Sequence, residues 1–343
     1  MIKFTEFMAN ELDKSQDEMW LLKDLPVTSE NIGFRPEEMN GCSKCGKSNP
    51  PTRPKCFYCS ADLLIDAAET QSANINSRVL ENREKGFNLV YLPESSTEKS
   101  DISAIARLLS IEVDFIRQII EAKSIIPLVR LESPHETAIE NLSSYGMKCC
   151  MVADEVLEVN KLPVRLRGLK FLSESFVLIN FNTDEEIEVQ HDDLSLIVTG
   201  ALFEAKTETV EKRKKKEASV VLETQAKSDS GLIDIYVGDD AIGYRITVNG
   251  FDFSCLGSEK GLLAAENIRR LAEVLRSYAK SAKFAGDYLM IRQLLDEVWP
   301  LERRKDSYRR QGTGLGGKDF TNIESSNNLQ QFTKYSRLQR QLL

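Results

Sequence analysis

Four cysteines near the front of the chain are the residues whose type and spacing together dictate one chemistry. Cys42 with Cys45, and Cys56 with Cys59, form two Cys-x2-Cys pairs separated by ten residues that include Asn49, Pro50, Pro51 and Pro54. Each pair sets two sulfurs on one tight turn, and two such turns facing each other complete a tetrahedral thiolate cage of the kind that holds zinc. Four sulfurs fill the coordination sphere and leave no position for water, so the metal expected here is structural Zn2+ and not a catalyst. Two alternatives stay open at this level. One is a pair of disulfides, which the knuckle spacing and the intracellular character of the chain disfavour; the other is an iron or iron–sulfur centre, although no other feature suggests electron transfer.

The pattern Cys-x2-Cys-Gly, Asn-Pro-Pro, Cys-x2-Cys is carried by Cys42, Cys45, Gly46, Asn49, Pro50, Pro51, Cys56 and Cys59. It resembles the short zinc-ribbon modules of bacterial multidomain proteins. It is also similar to the Ran-binding-protein type of zinc finger, in which an asparagine lies four positions after the second cysteine and seven before the third, as Asn49 does. That family has a tryptophan two positions before its first cysteine, where this chain has Asn40, so the RNA or ubiquitin binding of some members is not carried over. The resemblance covers residues 40–62 and implies a zinc-clasped interaction module.

At 343 residues the chain is long enough for two or three domains. Its 41% hydrophobic and 29% charged content is that of a soluble globular protein, and no apolar run is long enough to span a membrane. Glu6, Glu11 and Asp13 at the front are unlike an ordinary secretory signal. The three remaining cysteines, Cys149, Cys150 and Cys255, lie in apolar, strand-like runs, which suits buried free thiols in a reducing compartment; the expected location is the cytoplasm. Net charge is −8 and uneven. From Pro300 onward nine basic residues face four acidic ones, a polarity that can steer an acidic partner to the tail.

The elements that must position these residues give a multidomain α+β reading. Residues 1–39 form an amphipathic segment, with Phe4, Phe7, Leu12, Trp20 and Leu22 as its apolar positions; 40–62 are the zinc ribbon and 63–86 a linker. Residues 87–155 read β-α-α-β-α-β. The first helix is capped by Ser100 and buries Ile102, Ile105, Ala106 and Leu109; the second uses Val113, Ile116, Ile119 and Ile120; the third opens with Ser133, Pro134 and Glu136 and stops at Gly146. This order, with Glu121, Ala122 and Lys123 before Pro127, is similar to the C-terminal domain of the ribosomal stalk protein and, in topology, to the adaptor that feeds substrates to the Clp protease. The resemblance implies a domain that holds a protein partner.

Residues 162–280 change to the period of strands, with Asn249-Gly250 as the strongest hairpin signal, returning through Phe251, Phe253 and Cys255. A helix follows from Ser258, with Leu262, Ala265, Ile268, Leu271, Ala272 and Leu275 on one face. A strand meander closed by one helix is similar to the pleckstrin-homology superfold, a bent β-barrel capped by a helix. Another helix is expected over 284–300, then a basic, largely disordered tail over 301–343 with a short helix near its end.

Other candidates are weaker. Residues 312–319 have the glycines and Lys318 of a phosphate loop, but Asp319 stands where Ser or Thr must touch magnesium and no buried strand precedes them, so a flexible linker is expected. His135 and His191 lack a nucleophile motif and read as surface residues. Lys212, Arg213, Lys214, Lys215 and Lys216 form an exposed loop or hairpin tip that suits anionic lipid or nucleic acid, but Glu208, Glu211 and Glu217 flank it. Arg303, Arg304, Lys305, Arg309 and Arg310 with Tyr308 suit RNA or an acidic protein surface better, because an aromatic lies among the charges. The expected function is a non-enzymatic adaptor with protein partners, no catalytic residues and no small-molecule substrate. The alternatives are an RNA- or ribosome-associated protein and, less favoured, a membrane-surface protein.

Overall fold

The computed structural model describes residues 39–49, 55–61, 80, 84–93, 100–213, 220–311 and 318–343. The amphipathic segment expected before residue 39, most of the linker, Lys214, Lys215, Lys216 and the glycine run 312–317 lie outside the described residues. The chain forms two compact units, Met1–Ser72 and Ala73–Leu343. In the first, β1 (Asn40–Gly41) and β2 (Ser48–Asn49) pair antiparallel across the first cysteine knuckle.

The second unit begins with β3 (Phe87–Tyr91), α1 (Ile102–Leu109), α2 (Val113–Ala122), β4 (Ile126–Leu131), α3 (Glu136–Ser144) and β5 (Cys149–Ala153), in the element order read from the sequence. The strands form a three-stranded antiparallel sheet with β3 in the middle. The caps differ from expectation. Asp101, not Ser100, accepts the N–H of Ala104 at 3.0 Å, while the Ser100 hydroxyl donates to the Gly146 carbonyl; α3 starts at Glu136 behind His135 rather than behind Ser133.

A separate domain over 87–155 would leave one sheet face in water, yet Asn88, Leu89, Val90 and Tyr91 are consecutive and all buried, so both faces of β3 are covered. The second cover comes from far along the chain: α5 (Tyr288–Val298) packs on β4, and the Trp299 indole N–H donates to Asn88 Oδ1 at 2.9 Å. One core therefore joins β3, α1 and α2 to α5, to two later strands (Leu194–Arg213 and Val220–Val237) and to the C-terminal helix, where the sequence suggests a domain boundary near residue 160.

The large sheet runs in the order β13-β14-β9-β10-β11-β6-β7-β8, with β12 (Lys283–Ala285) on β9. Its strands are β6 (Val164–Phe171), β7 (Ser175–Asn180), β8 (Glu186–Gln190), β9 (Leu194–Arg213), β10 (Val220–Val237), β11 (Tyr244–Thr247), β13 (Glu302–Gln311) and β14 (Lys318–Asn327). Alternation along β9 and β10 sends Leu196, Val198, Leu232 and Tyr236 to the core just described. It sends Ile197, Ile233 and Ile235 to a second core beneath α4 (Ala264–Tyr278). The sheet thus separates two cores, and its ends, β13 and β8, do not close into a barrel among the described residues.

The hairpin expected at Asn249-Gly250 does not form. β11 already has β10 on one side and β6, parallel, on the other, so a returning strand has no edge to join. Instead Phe251 and Phe253 enter the second core and the chain turns into a 3-10 helix, Phe253–Glu259, that contains Ser258; α4 starts only at Ala264.

The tail is the largest correction. Residues expected to be disordered form β13 and β14, in register from Glu302↔Asn327 to Gln311↔Lys318, whereas the short helix expected near the end is present as α6 (Leu329–Gln341). That helix buries Phe332, Tyr335 and Leu338. It also buries polar side chains that find partners inside. Gln331 receives the Tyr288 hydroxyl and donates to the Trp299 carbonyl, Ser336 pairs with the Tyr236 hydroxyl at 2.7 Å, and Thr333 accepts from Arg245. Arg245 is itself held by both oxygens of buried Asp234 at 2.7 Å. Among the described residues no helix is long and apolar enough to cross a membrane.

Candidate metal centre

Both cysteine knuckles use the same backbone device. Cys42 N–H donates to Lys47 O at 2.9 Å and Gly46 N–H to Cys42 O at 2.8 Å; Cys56 N–H donates to Ala61 O at 2.8 Å and Ser60 N–H to Cys56 O at 2.9 Å. Closing so tight a turn needs a left-handed residue, supplied by Gly46 (φ +68) in the first knuckle and by Ser60 (φ +56) in the second. Asn49 explains its own spacing. Fully buried, it accepts the Phe57 N–H on Oδ1 and donates from Nδ2 to Lys47 O, both at 2.8 Å, and so ties one knuckle to the other.

This framework brings all four sulfurs within 4.8 Å of one another. Across the knuckles, Cys42 to Cys59 and Cys45 to Cys56 are each 3.6 Å apart. Four thiolates at about 2.3 Å from a central ion sit roughly 3.8 Å apart, whereas a disulfide needs about 2.05 Å. The cysteines lie close enough to hold a metal ion, an arrangement consistent with zinc.

The electrostatics agree with a shared cation. The backbone N–H of Cys45 lowers the pKa of Cys42. At Cys56 burial pushes upward, but the N–H groups of Tyr58 and Cys59 and the neighbouring sulfurs win and bring it down to about 6. At Cys45 the Lys47 N–H favours the thiolate, yet burial and proton sharing with the other three sulfurs push it up to about 12. Four adjacent thiolates do not all ionise by themselves; a divalent ion bound here would take the place of the shared protons.

Phe57 and Tyr58 sit on the second knuckle, 67% and 60% exposed, with rings packed edge-on at 5.4 Å and Lys47 over Tyr58 at 5.3 Å. The sequence reading passed over them. The available signal was their place between paired cysteines, where the turn offers no core to bury an aromatic.

The other candidates fall elsewhere. Lys212 and Arg213 end β9, and the register sets Lys212 and Arg310 on either side of Asp319, and Arg213 beside Lys318. Two basic runs read separately in the sequence therefore meet at one end of a four-stranded arm, with Arg309 one row further in. Arg303 and Arg304 are exposed near the other end of β13. Burial pushes Cys149 up to about 12 and Cys255 up to about 11, against any nucleophilic role. A ring nitrogen of His191 bonds the Ser175 carbonyl at 3.0 Å, with the ring packed on Phe176. No protein-family model matches the chain, and neither a curated protein nor a solved structure matches it.

Proposed function

We propose that the protein is a non-enzymatic adaptor in which a structural zinc ion, held by Cys42, Cys45, Cys56 and Cys59, fixes a small docking module. The observation that carries the reading is the convergence of four sulfurs on one point, because a closed sulfur shell stiffens a segment and offers no reactive position. Exposed Phe57 and Tyr58 on that module are the kind of rigid aromatic pair that anchors a protein interface. Further support comes from the arm of β10, β9, β14 and β13. Residues 221–229 of β10 are exposed, and among the described residues no strand pairs with their outer edge, so an extended partner segment has a row of backbone groups to join.

Partner capture by the whole chain tests this. A defined partner retained by the natural protein and lost with Cys56→Ser, or with Phe57 and Tyr58 both replaced by Ser, is the expected result. A robust turnover abolished by changing one side chain would refute the reading.

A second reading, an RNA-associated protein, is favoured by the meeting of Lys212, Arg213, Arg309, Arg310 and Lys318 at one end of the arm. It requires single-stranded RNA binding that weakens steeply with salt and falls when Arg303, Arg304, Arg309 and Arg310 become Gln. Salt-insensitive or unchanged binding rejects it.

A further inference from the structure

In the second unit, a cavity of about 700 Å3 opens between the start of β3, the segment after β5 and the C-terminal elements β13 and α6. Most charges on its wall are already matched. Arg130 pairs with Asp154 at 2.5 Å, and Asp154 also accepts from Gly86 N–H and from Asn88 Nδ2. Lys85 pairs with Glu155 at 3.1 Å and Lys161 with Glu158 at 2.6 Å. Two lining cations, Lys334 and Arg303, make no such pair among the described residues.

Lys334 is the unusual one. It projects from α6, is only 8% exposed, and is the one lysine buried among the described residues. Its ammonium lies 5.7 Å from the Trp299 ring centroid, and the residue lines the cavity. The ammonium of a lysine so enclosed carries three N–H donors and a charge that costs free energy to hold away from bulk water unless matched. Asp154 and Glu302 face it without a direct bond, and Arg130 repels it. The amide side chains of Asn160 and Gln330 line the same cavity and add donors.

We propose that this cavity is a binding site for a small oxyanion, a carboxylate or a phosphate, seated on Lys334 and approached past Arg303. This goes beyond the adaptor reading and does not depend on the cysteine cage, since every residue involved belongs to the second unit. Burial pushes the lysine down to about 8, against the pull of Asp154 and Glu302, so at neutral pH it is protonated and able to hold an anion. Acetate, which keeps its charge over this range, is expected to bind progressively less well as pH rises through about 8.

The test uses the whole chain. Lysines are acylated with a limiting amine-reactive ester in the presence of inorganic phosphate, acetate or chloride at equal ionic strength, and the modified sites are located by peptide mass. Labelling of Lys334 should fall about tenfold at an ion concentration ten times its Kd, while exposed lysines are unaffected. Protection by phosphate alone, by acetate alone or by both separates the two sources of the anion. Equal labelling of Lys334 in all three salts overturns the site, as does a failure to label it in chloride, which would mean that the cavity is closed. Titration calorimetry provides a second reading. Lys334→Met, which keeps the packing on Trp299, should weaken binding at least about tenfold, the loss of one charge-assisted contact. Arg303→Gln, on an exposed strand, should weaken it by less; unchanged affinity in both variants contradicts the proposal.

Discussion

Among the described residues around the four cysteines, the buried apolar ones are Cys42 and Cys56, with Cys59 and Ala61 packed against them. In α6, by contrast, Phe332, Tyr335 and Leu338 are fully buried alongside Gln331, Thr333, Ser336 and Arg337. Both segments read as polar, but the described residues of the first have almost no core and the second lies inside one. A stretch without apolar area needs a metal or a crosslink to hold its shape. A polar helix can fill a core where most of its buried donors and acceptors find partners, as the side chains of Asn328, Gln331 and Ser336 do.

The contrast can be broken at either end. Removing the metal by chelation, or changing Cys56 to Ser, should cost the first unit on the order of 10 kcal/mol and abolish its fold. Amide NMR should then show collapsed dispersion for residues 40–49 and 55–61 while melting of the second unit stays in place. Tyr335→Ala should do the reverse, costing the second unit about 3–5 kcal/mol in urea unfolding with no change in metal content. Asp234→Asn leaves Arg245 buried against a neutral partner and should cost about 3 kcal/mol by the same measurement.

Two smaller effects sharpen the comparison. Lys334 has a folded pKa of about 8 against an ordinary 10.5. Between those values the unfolded chain keeps a proton that the folded chain has lost, so the contribution of Lys334 to stability rises with pH through this window, while the raised Cys149 and Cys255 thiols act in the opposite sense above pH 9. The thiol effect is common to both proteins, so the change in stability between pH 7.5 and about 10 should be more favourable in the natural protein than in Lys334→Met by about 1–3 kcal/mol, as read by unfolding. Smallest, Ser60→Gly relieves the left-handed strain of the second knuckle and should tighten metal retention by about 0.5–1 kcal/mol in competition with a chelator.

What was legible in the sequence follows the same division. The cysteine spacing fixes distances over a few bonds, so the cage could be read locally, whereas Asn49 stood out only as a pattern position and its tie between the knuckles is visible only in the fold. The helices and strands over 87–155 were legible because Ile105, Ala106 and Leu109, or Ile116 and Ile119, recur at helical spacing on one buried face. The shared core was not, since nothing near Asn88 announces that Trp299 will bond to it. The tail was misread because hydropathy counts Gln331, Lys334 and Arg337 as solvent-seeking, while their surroundings are set by residues far away in sequence, among them Tyr288, Trp299 and Lys161. The basic runs near Lys212 and Arg310 were visible singly, but only strand register brings them together.

Elemental analysis combined with native mass spectrometry of freshly purified, reduced protein tests the central claim most directly. The account predicts one zinc ion per chain and four sulfurs that become alkylatable only after chelation. Metal-free protein in which Cys42, Cys45, Cys56 and Cys59 alkylate at the rate of free thiols, or are found oxidised in pairs, would contradict it.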